Sequence, residues 1–145
     1  MNGREKLILE FEQSFRWLLR SHRKAMANVF DKEITSSEFM FLYYLNEHGP
    51  KKVSLLADEF QVNRSHVSNV MERLYSRDLV DRIRSSADRR VVEMIITSDG
   101  SALLNEMKQK RAVYFQQQFE LFKDEEIEQM VLFFNKIQEK NSHSQ

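Results

Sequence analysis

From Leu7 to Val29 a mostly apolar stripe recurs at three- and four-residue steps: Leu7, Phe11, Phe15, Leu18, His22, Ala25, Met26 and Val29. That spacing predicts a helix of about six turns at ~3.6 residues per turn. Asp31-Lys32-Glu33-Ile34-Thr35 interrupts the period. Ser36 or Ser37 then caps a second helix over roughly 38–47. Its run Phe39-Met40-Phe41-Leu42-Tyr43-Tyr44-Leu45 is apolar on nearly all sides, as in a helix buried on most faces. Gly49-Pro50 stops it.

The scale then changes. Ser54 is placed to cap a short helix over 55–60 and Asn63 a second over 64–77, with only Gln61-Val62-Asn63 between them. Two short helices joined by about three residues form a helix-turn-helix pattern. Its expected core is Leu56, Ala57, Phe60, Val62, Val67, Val70, Met71 and Leu74, with the small Ala57 allowing close approach. After Leu79-Val80 the period becomes extended. Asp81-Arg82-Ile83-Arg84, the turn Ser85-Ser86-Ala87-Asp88 and the β-branched run to Thr97 predict a two-stranded hairpin. Thr97 or Ser98 caps a long helix over 99–122, and Asp124 caps a last one carrying Ile127, Met130, Val131, Phe133, Phe134 and Ile137. Residues 141–145 are expected to fray.

The predicted fold class is mainly α with a small β-hairpin wing. A winged helix-turn-helix region (36–97) is flanked by N- and C-terminal dimerisation helices (1–34 and 99–141) in a single subunit spanning 1–145. The end helices carry more apolar surface than so small a centre covers. Left bare, they would form a large apolar patch. A symmetric dimer across those helices is expected; the alternative is that they fold back on their own subunit.

Composition narrows the chemistry. Lys plus Arg and Asp plus Glu number 22 each, so any basic surface is local rather than global. There is no cysteine, which excludes disulfides, thiolate metal sites and thiol-based sensing. The four histidines, His22, His48, His66 and His143, lie far apart, and no glycine-rich phosphate loop occurs. No enzymatic constellation emerges, and no cofactor or metal is expected. A metal-responsive role through His22 or His48 with Glu47 lacks a tight ligand spacing. The seven methionines mostly occupy apolar helical positions and read as core. No signal segment and no apolar run of about 20 residues is present, so a cytoplasmic protein is expected.

From residue 53 to 97 every basic residue is arginine: Arg64, Arg73, Arg77, Arg82, Arg84, Arg89 and Arg90. The arginine fork matches a phosphate or a guanine edge. Against them between 61 and 92 stand Glu72, Asp78, Asp81 and Asp88, an excess of three positive charges. On the second helix of the pair, Arg64, Ser65, His66, Ser68, Asn69 and Arg73 are left facing outward, suited to base edges in a major groove. In the hairpin Asp88 and Arg90 share a face if the segment is extended. Asp88 is then placed to hold a neighbouring arginine, Arg89 or Arg90, for a narrow minor groove. A structural salt bridge closing the loop is compatible with the same residues.

Along nearly its whole length the chain resembles the MarR family of bacterial regulators. The resemblance is carried by Val53-Ser54-Leu55-Leu56-Ala57, Val62-Asn63-Arg64-Ser65-His66-Val67-Ser68, Met71-Glu72-Arg73-Leu74, Leu79-Val80-Asp81-Arg82, Asp88-Arg89-Arg90 and Ile96-Thr97-Ser98-Asp99-Gly100. It implies a homodimer built through the first and last helices and a reading helix that starts near Arg64. It also implies a wing that puts an arginine, here Arg90, into the minor groove with Asp88 orienting it and Arg84 and Arg89 beside it. Targets would be palindromic double-stranded DNA, repression of the protein's own and neighbouring genes the default, and release by a small-molecule effector common. A winged-helix module used only for protein contacts is the competing function. Phe11, Phe15, Trp17, Phe39, Tyr43 and Tyr44 are candidates to line an effector cleft, although aromatic residues at helical spacing more often form core. Two departures stand out. Gln61 sits where a turn glycine is common, which implies either a left-handed backbone or a slightly different turn there; Asp78 sits where glycine often precedes Leu-Val, in a conformation that Asp tolerates better than most residues.

Overall fold

A computed structural model describes residues 1–144. The order is α1 (Gly3–Val29), α2 (Ser36–His48), α3 (Val53–Phe60), α4 (Arg64–Ser76), β1 (Val80–Arg84), β2 (Val92–Ile96), α5 (Ser98–Gln118) and α6 (Asp124–Ser142). The chain divides into two compact units, Met1–Arg111 and a shorter one from Ala112 onward, with the boundary inside α5.

Helix starts follow backbone conformation more closely than the nearest capping residue type. Helix α1 opens on a capping box in which Asn2 and Glu5 each accept the other's backbone N–H at 2.8 Å. The cap of α2 is Thr35, not Ser36 or Ser37: its backbone is extended and its Oγ1 accepts from the Glu38 amide at 3.1 Å. Helix α3 starts at Val53, so Ser54 lies inside the first turn and caps nothing. Its entry is set instead by Lys51, whose N–H and C=O pair with Met94 at 3.1 and 2.8 Å. Asn63 does precede α4, but its side chain accepts no bond from the first turn. Asp124 is the first residue of α6 rather than its cap, and Lys123 before it is extended. Helix α5 ends at Gln118, short of Phe122, and α6 runs on to Ser142, so residues 141 and 142 are helical rather than frayed. The expectation for Gln145 lies outside the described residues.

In the larger unit the core gathers Phe41, Leu42 and Leu45 of α2, Leu56 of α3, Val67, Val70 and Leu74 of α4, Val80 of β1, and Leu104 and Met107 of α5, all essentially inaccessible. Phe60 meets Phe41 edge-on with centroids 5.1 Å apart. Val62 does not join this core. The preceding Gln61 is left-handed at φ 52, and the Val62 amide donates back to Ala57 O at 3.0 Å, which turns its side chain outward. Asp78 is left-handed too, at φ 59. Of the two options open to Gln61 the chain takes the left-handed one, and Asp78 adopts the conformation that glycine favours.

Strands β1 and β2 are antiparallel, registering Val80 with Ile96 and Arg84 with Val92. Their base is clamped to α5. Thr97 Oγ1 donates to Asp78 O at 2.7 Å and accepts from the Gly100 amide at 3.0 Å, while the Thr97 amide donates to Leu79 O at 3.1 Å. A Cβ on residue 100 would lie 2.1 Å from Leu79 O, so only glycine lets α5 start this close to that backbone. The spacing Leu79-Val80 to Thr97-Ser98-Asp99-Gly100 is therefore a packing device at the root of the wing.

The terminal helices keep apolar surface in the open. On α1, Leu7, Phe11, Trp17 and Leu18 are more than half exposed, and so are Val131, Leu132 and Phe133 on α6. No residue of α6 is buried. No helix among the described residues is long and apolar enough to cross a membrane.

Candidate nucleic-acid interface

Helix α4 divides cleanly into two faces. Val67, Val70, Met71 and Leu74 point into the core, at three- and four-residue steps. That period leaves Arg64, Ser65, His66, Ser68, Asn69 and Arg73 exposed on the other side. Ser65, Ser68 and Asn69 present short hydrogen-bonding groups there. His66 is less independent, since its ring lies 6.3 Å from that of Phe41, within aromatic contact range.

The arginines fall into two groups. Several are tied into the fold. Arg77 Nη1 donates to Glu38 Oε2 at 3.4 Å, and Arg73 Nε lies 3.9 Å from Glu38 Oε1. Arg82 pairs with Glu72 and lies 4.2 Å over the Tyr75 ring, fastening β1 to α4. Arg84 Nη1 donates to Arg89 O at 3.2 Å, across the wing loop. By contrast Arg64 and Arg89 make no side-chain hydrogen bond or ion pair among the described residues. Free guanidinium groups thus stand at two places, the start of α4 and the wing tip.

Arg90 belongs to the tip. Its Nε and Nη2 donate to the two carboxylate oxygens of Asp88, each at 3.1 Å, and its backbone N–H donates to Asp88 Oδ1 at 3.0 Å. This is a bidentate pair superposed on an Asx turn. The side chain of Arg90 nevertheless remains 90% exposed. The pairing does not arise from an extended strand, because residues 88–91 form a turn closed by Val91 N to Asp88 O at 3.0 Å. A turn brings side chains two residues apart together as surely as a strand does, and it adds the backbone bond. The side-chain bonds from Arg90, then its backbone bond, hold the Asp88 carboxyl below the usual carboxylate range.

Sequence reasoning missed Glu38. It lies outside the arginine-rich stretch of 61–92 and reaches α4 from a neighbouring helix. A signal was present: Glu38 opens a helix that is apolar on nearly all other sides, where an acid needs a partner. The aromatic residues of α2 divide as well. Phe39, Tyr43 and Tyr44 line a cleft of about 280 Å³ with His48, Phe60 and Arg111. Phe11 and Phe15 stack on α1 instead, with centroids 5.7 Å apart. Glu47, a candidate metal ligand by sequence, pairs with Lys108 at 3.7 Å.

This geometry has close relatives. The MarR family model matches residues 34–92. The chain is 31% identical to the HTH-type transcriptional regulator YpoP of Bacillus subtilis, covering 97% of this chain and 99% of that one. The solved structure of a MarR family protein from Bacillus stearothermophilus superposes with a TM-score of 0.84 at 24% identity, covering 98% and 99% of the two chains. That of BpsR from Bordetella bronchiseptica, whose DNA binding is regulated by 6-hydroxynicotinic acid, superposes at 0.75 with 25% identity, covering 88% and 91%. With a helix-turn-helix, a clamped wing and an arginine held out at its tip, the chain belongs to the MarR family of winged helix-turn-helix, DNA-binding transcriptional regulators.

Proposed function

We propose that the protein acts as a homodimer that represses transcription by occupying a palindromic operator, with α4 in the major groove and the wing in the minor groove. The observation that carries this reading is the joint exposure of the polar face of α4 and of Arg90, which Asp88 braces by a bidentate pair. On α4, Arg64, Ser65, His66, Ser68 and Asn69 read bases or the adjoining phosphates, and Arg73 contacts backbone phosphate. At the wing Arg90 enters the minor groove, while Arg89 and Arg84 add positive potential beside it.

The bare apolar residues of α1 and α6 are the surface a second copy would cover, making 1–34 and 99–141 the dimerisation helices. Half-sites would then lie about 10 base pairs apart, one helical turn. The cleft around Phe39, Tyr43 and Arg111 offers an effector aromatic faces and one cation. BpsR, whose DNA binding is regulated by 6-hydroxynicotinic acid, supplies the precedent for control by a small aromatic acid. The reading also includes repression, autoregulation and a cytoplasmic location, which the family resemblance supports.

Selection of bound duplexes from random DNA, with molar mass measured by light scattering, tests the reading. A two-fold symmetric consensus bound by a dimer is expected. A monomer that binds one half-site equally well, or the absence of duplex binding, would refute it.

A further inference from the structure

Glu38 presents a single carboxylate, 6% exposed, to two arginines of the reading helix. The arrangement is asymmetric. Arg77 is within hydrogen-bond distance at 3.4 Å, whereas Arg73 at 3.9 Å is held by charge alone. The guanidinium side chains of Arg73 and Arg77 are 53% and 44% exposed, so both can also reach solvent. A buried carboxylate requires a cation, and a DNA phosphate cannot supply one. Two cations on one carboxylate leave one positive charge over. When a phosphate approaches α4, one arginine can transfer to it while the other stays and keeps Glu38 paired. The hydrogen bond identifies Arg77 as the one that stays.

We infer that Glu38 is a positioning residue for DNA binding, which holds the Arg73 side chain towards α2 in the free protein and releases it to a backbone phosphate on docking, with Arg77 remaining as its permanent partner. The inference rests on the DNA-binding reading above and adds to it a cost built into the free state. Binding must break the Glu38–Arg73 attraction, so non-specific duplex is held more weakly than the arginine count alone would give. Because the contact is to phosphate, the cost is the same for every sequence.

The test compares affinities of the full-length wild type, Glu38→Gln, Arg77→Gln and the Glu38→Gln/Arg77→Gln double variant for the selected duplex and for a scrambled one. Glu38→Gln frees Arg73 and is expected to tighten binding to both by about tenfold, for one phosphate contact in each half of a dimer. Arg77→Gln leaves Arg73 as the sole partner of Glu38 and is expected to weaken binding to both duplexes. Removing the carboxylate as well restores affinity to at least the wild-type level. A purely structural Glu38 gives the opposite sign, weaker binding and a lower unfolding midpoint for Glu38→Gln. If that variant does not fold, the failed rescue of Arg77→Gln, or an Arg77→Gln affinity equal to wild type, overturns the inference. Wild-type protein that binds neither duplex refutes the DNA-binding reading itself, whereas wild-type binding without these shifts refutes only the role of Glu38.

Discussion

The reading helix and the wing carry the same side chain in opposite ways. On α4 the later arginines are held by contacts distant in sequence, Arg73 and Arg77 by Glu38 of α2. At the wing tip Arg90 is held by a neighbour two residues away and remains 90% exposed. The helix is anchored along its inner face, with Val67, Val70 and Leu74 fully buried. The wing is anchored at its root, where Thr97 and Gly100 lock the backbone around Leu79, and along β1, where Arg82 pairs with Glu72. A site on α4 is therefore a product of tertiary packing. The site at the wing tip is nearly self-contained, a local turn mounted on a distant clamp.

That contrast can be broken at the root of the wing with the largest effect. Gly100→Ala puts a Cβ where Leu79 O stands, 2.1 Å away. The backbone must move, and urea unfolding should register a loss of about 3 kcal/mol, the upper range for overpacking. An unchanged midpoint would mean that the clamp is loose. At the tip the effect should be confined to binding. Arg90→Ala is expected to leave stability within about 0.5 kcal/mol, as for exposed substitutions. Its affinity for the selected duplex should fall by about tenfold, in the range of one specific arginine contact. Equal affinities at physiological salt would remove Arg90 from the interface.

A smaller effect separates strain from function on the helix side. Gln61→Gly relieves a left-handed non-glycine residue at φ 52. Stability should rise by about 0.5–1 kcal/mol, the left-handed penalty less the entropy lost with glycine, while DNA affinity stays the same. Decreased stability would show that the Gln61 side chain contributes something its backbone geometry does not reveal. The smallest and most local effect is the titration of Asp88. Its folded carboxyl lies below the usual range because Arg90 donates to it. The pairing is thus fully present above the ordinary aspartate value of about 3.9 and is lost as pH falls through the lower folded value. Wing geometry should be constant around neutral pH. Carboxyl chemical shifts should place the Asp88 midpoint below that of an ordinary aspartate, and Arg90→Ala should return it to the ordinary range.

Much of this architecture was legible along the chain because its causes are periodic or local. Apolar steps of three and four located α1, α6 and the inner face of α4, a run apolar on nearly all sides located α2, and the β-branched run located β2. Asp88 and Arg90 were recognisable as partners since they are two residues apart. Helix starts were read less well. Ser54 and Asp124 have the right chemistry for caps, but Lys52 and Lys123 have the extended backbone that an N-cap requires. Val62 has the apolarity of a core residue, yet the left-handed Gln61 turns it to the surface.

By itself, then, the sequence determined the order of the elements, the inner and outer faces of α4, and the chemistry of the wing tip. Each depends on neighbours within about one helical turn, where covalent geometry decides what can meet. Only the tertiary structure decided that Lys51 pairs with Met94, that Gly100 must lack a side chain to pass Leu79, and that Glu38 takes two arginines from the reading helix. Those contacts join segments from about 20 to more than 40 residues apart in the chain, and no periodicity encodes them. They follow from burial, which brings distant groups together and obliges each buried polar one to find a partner.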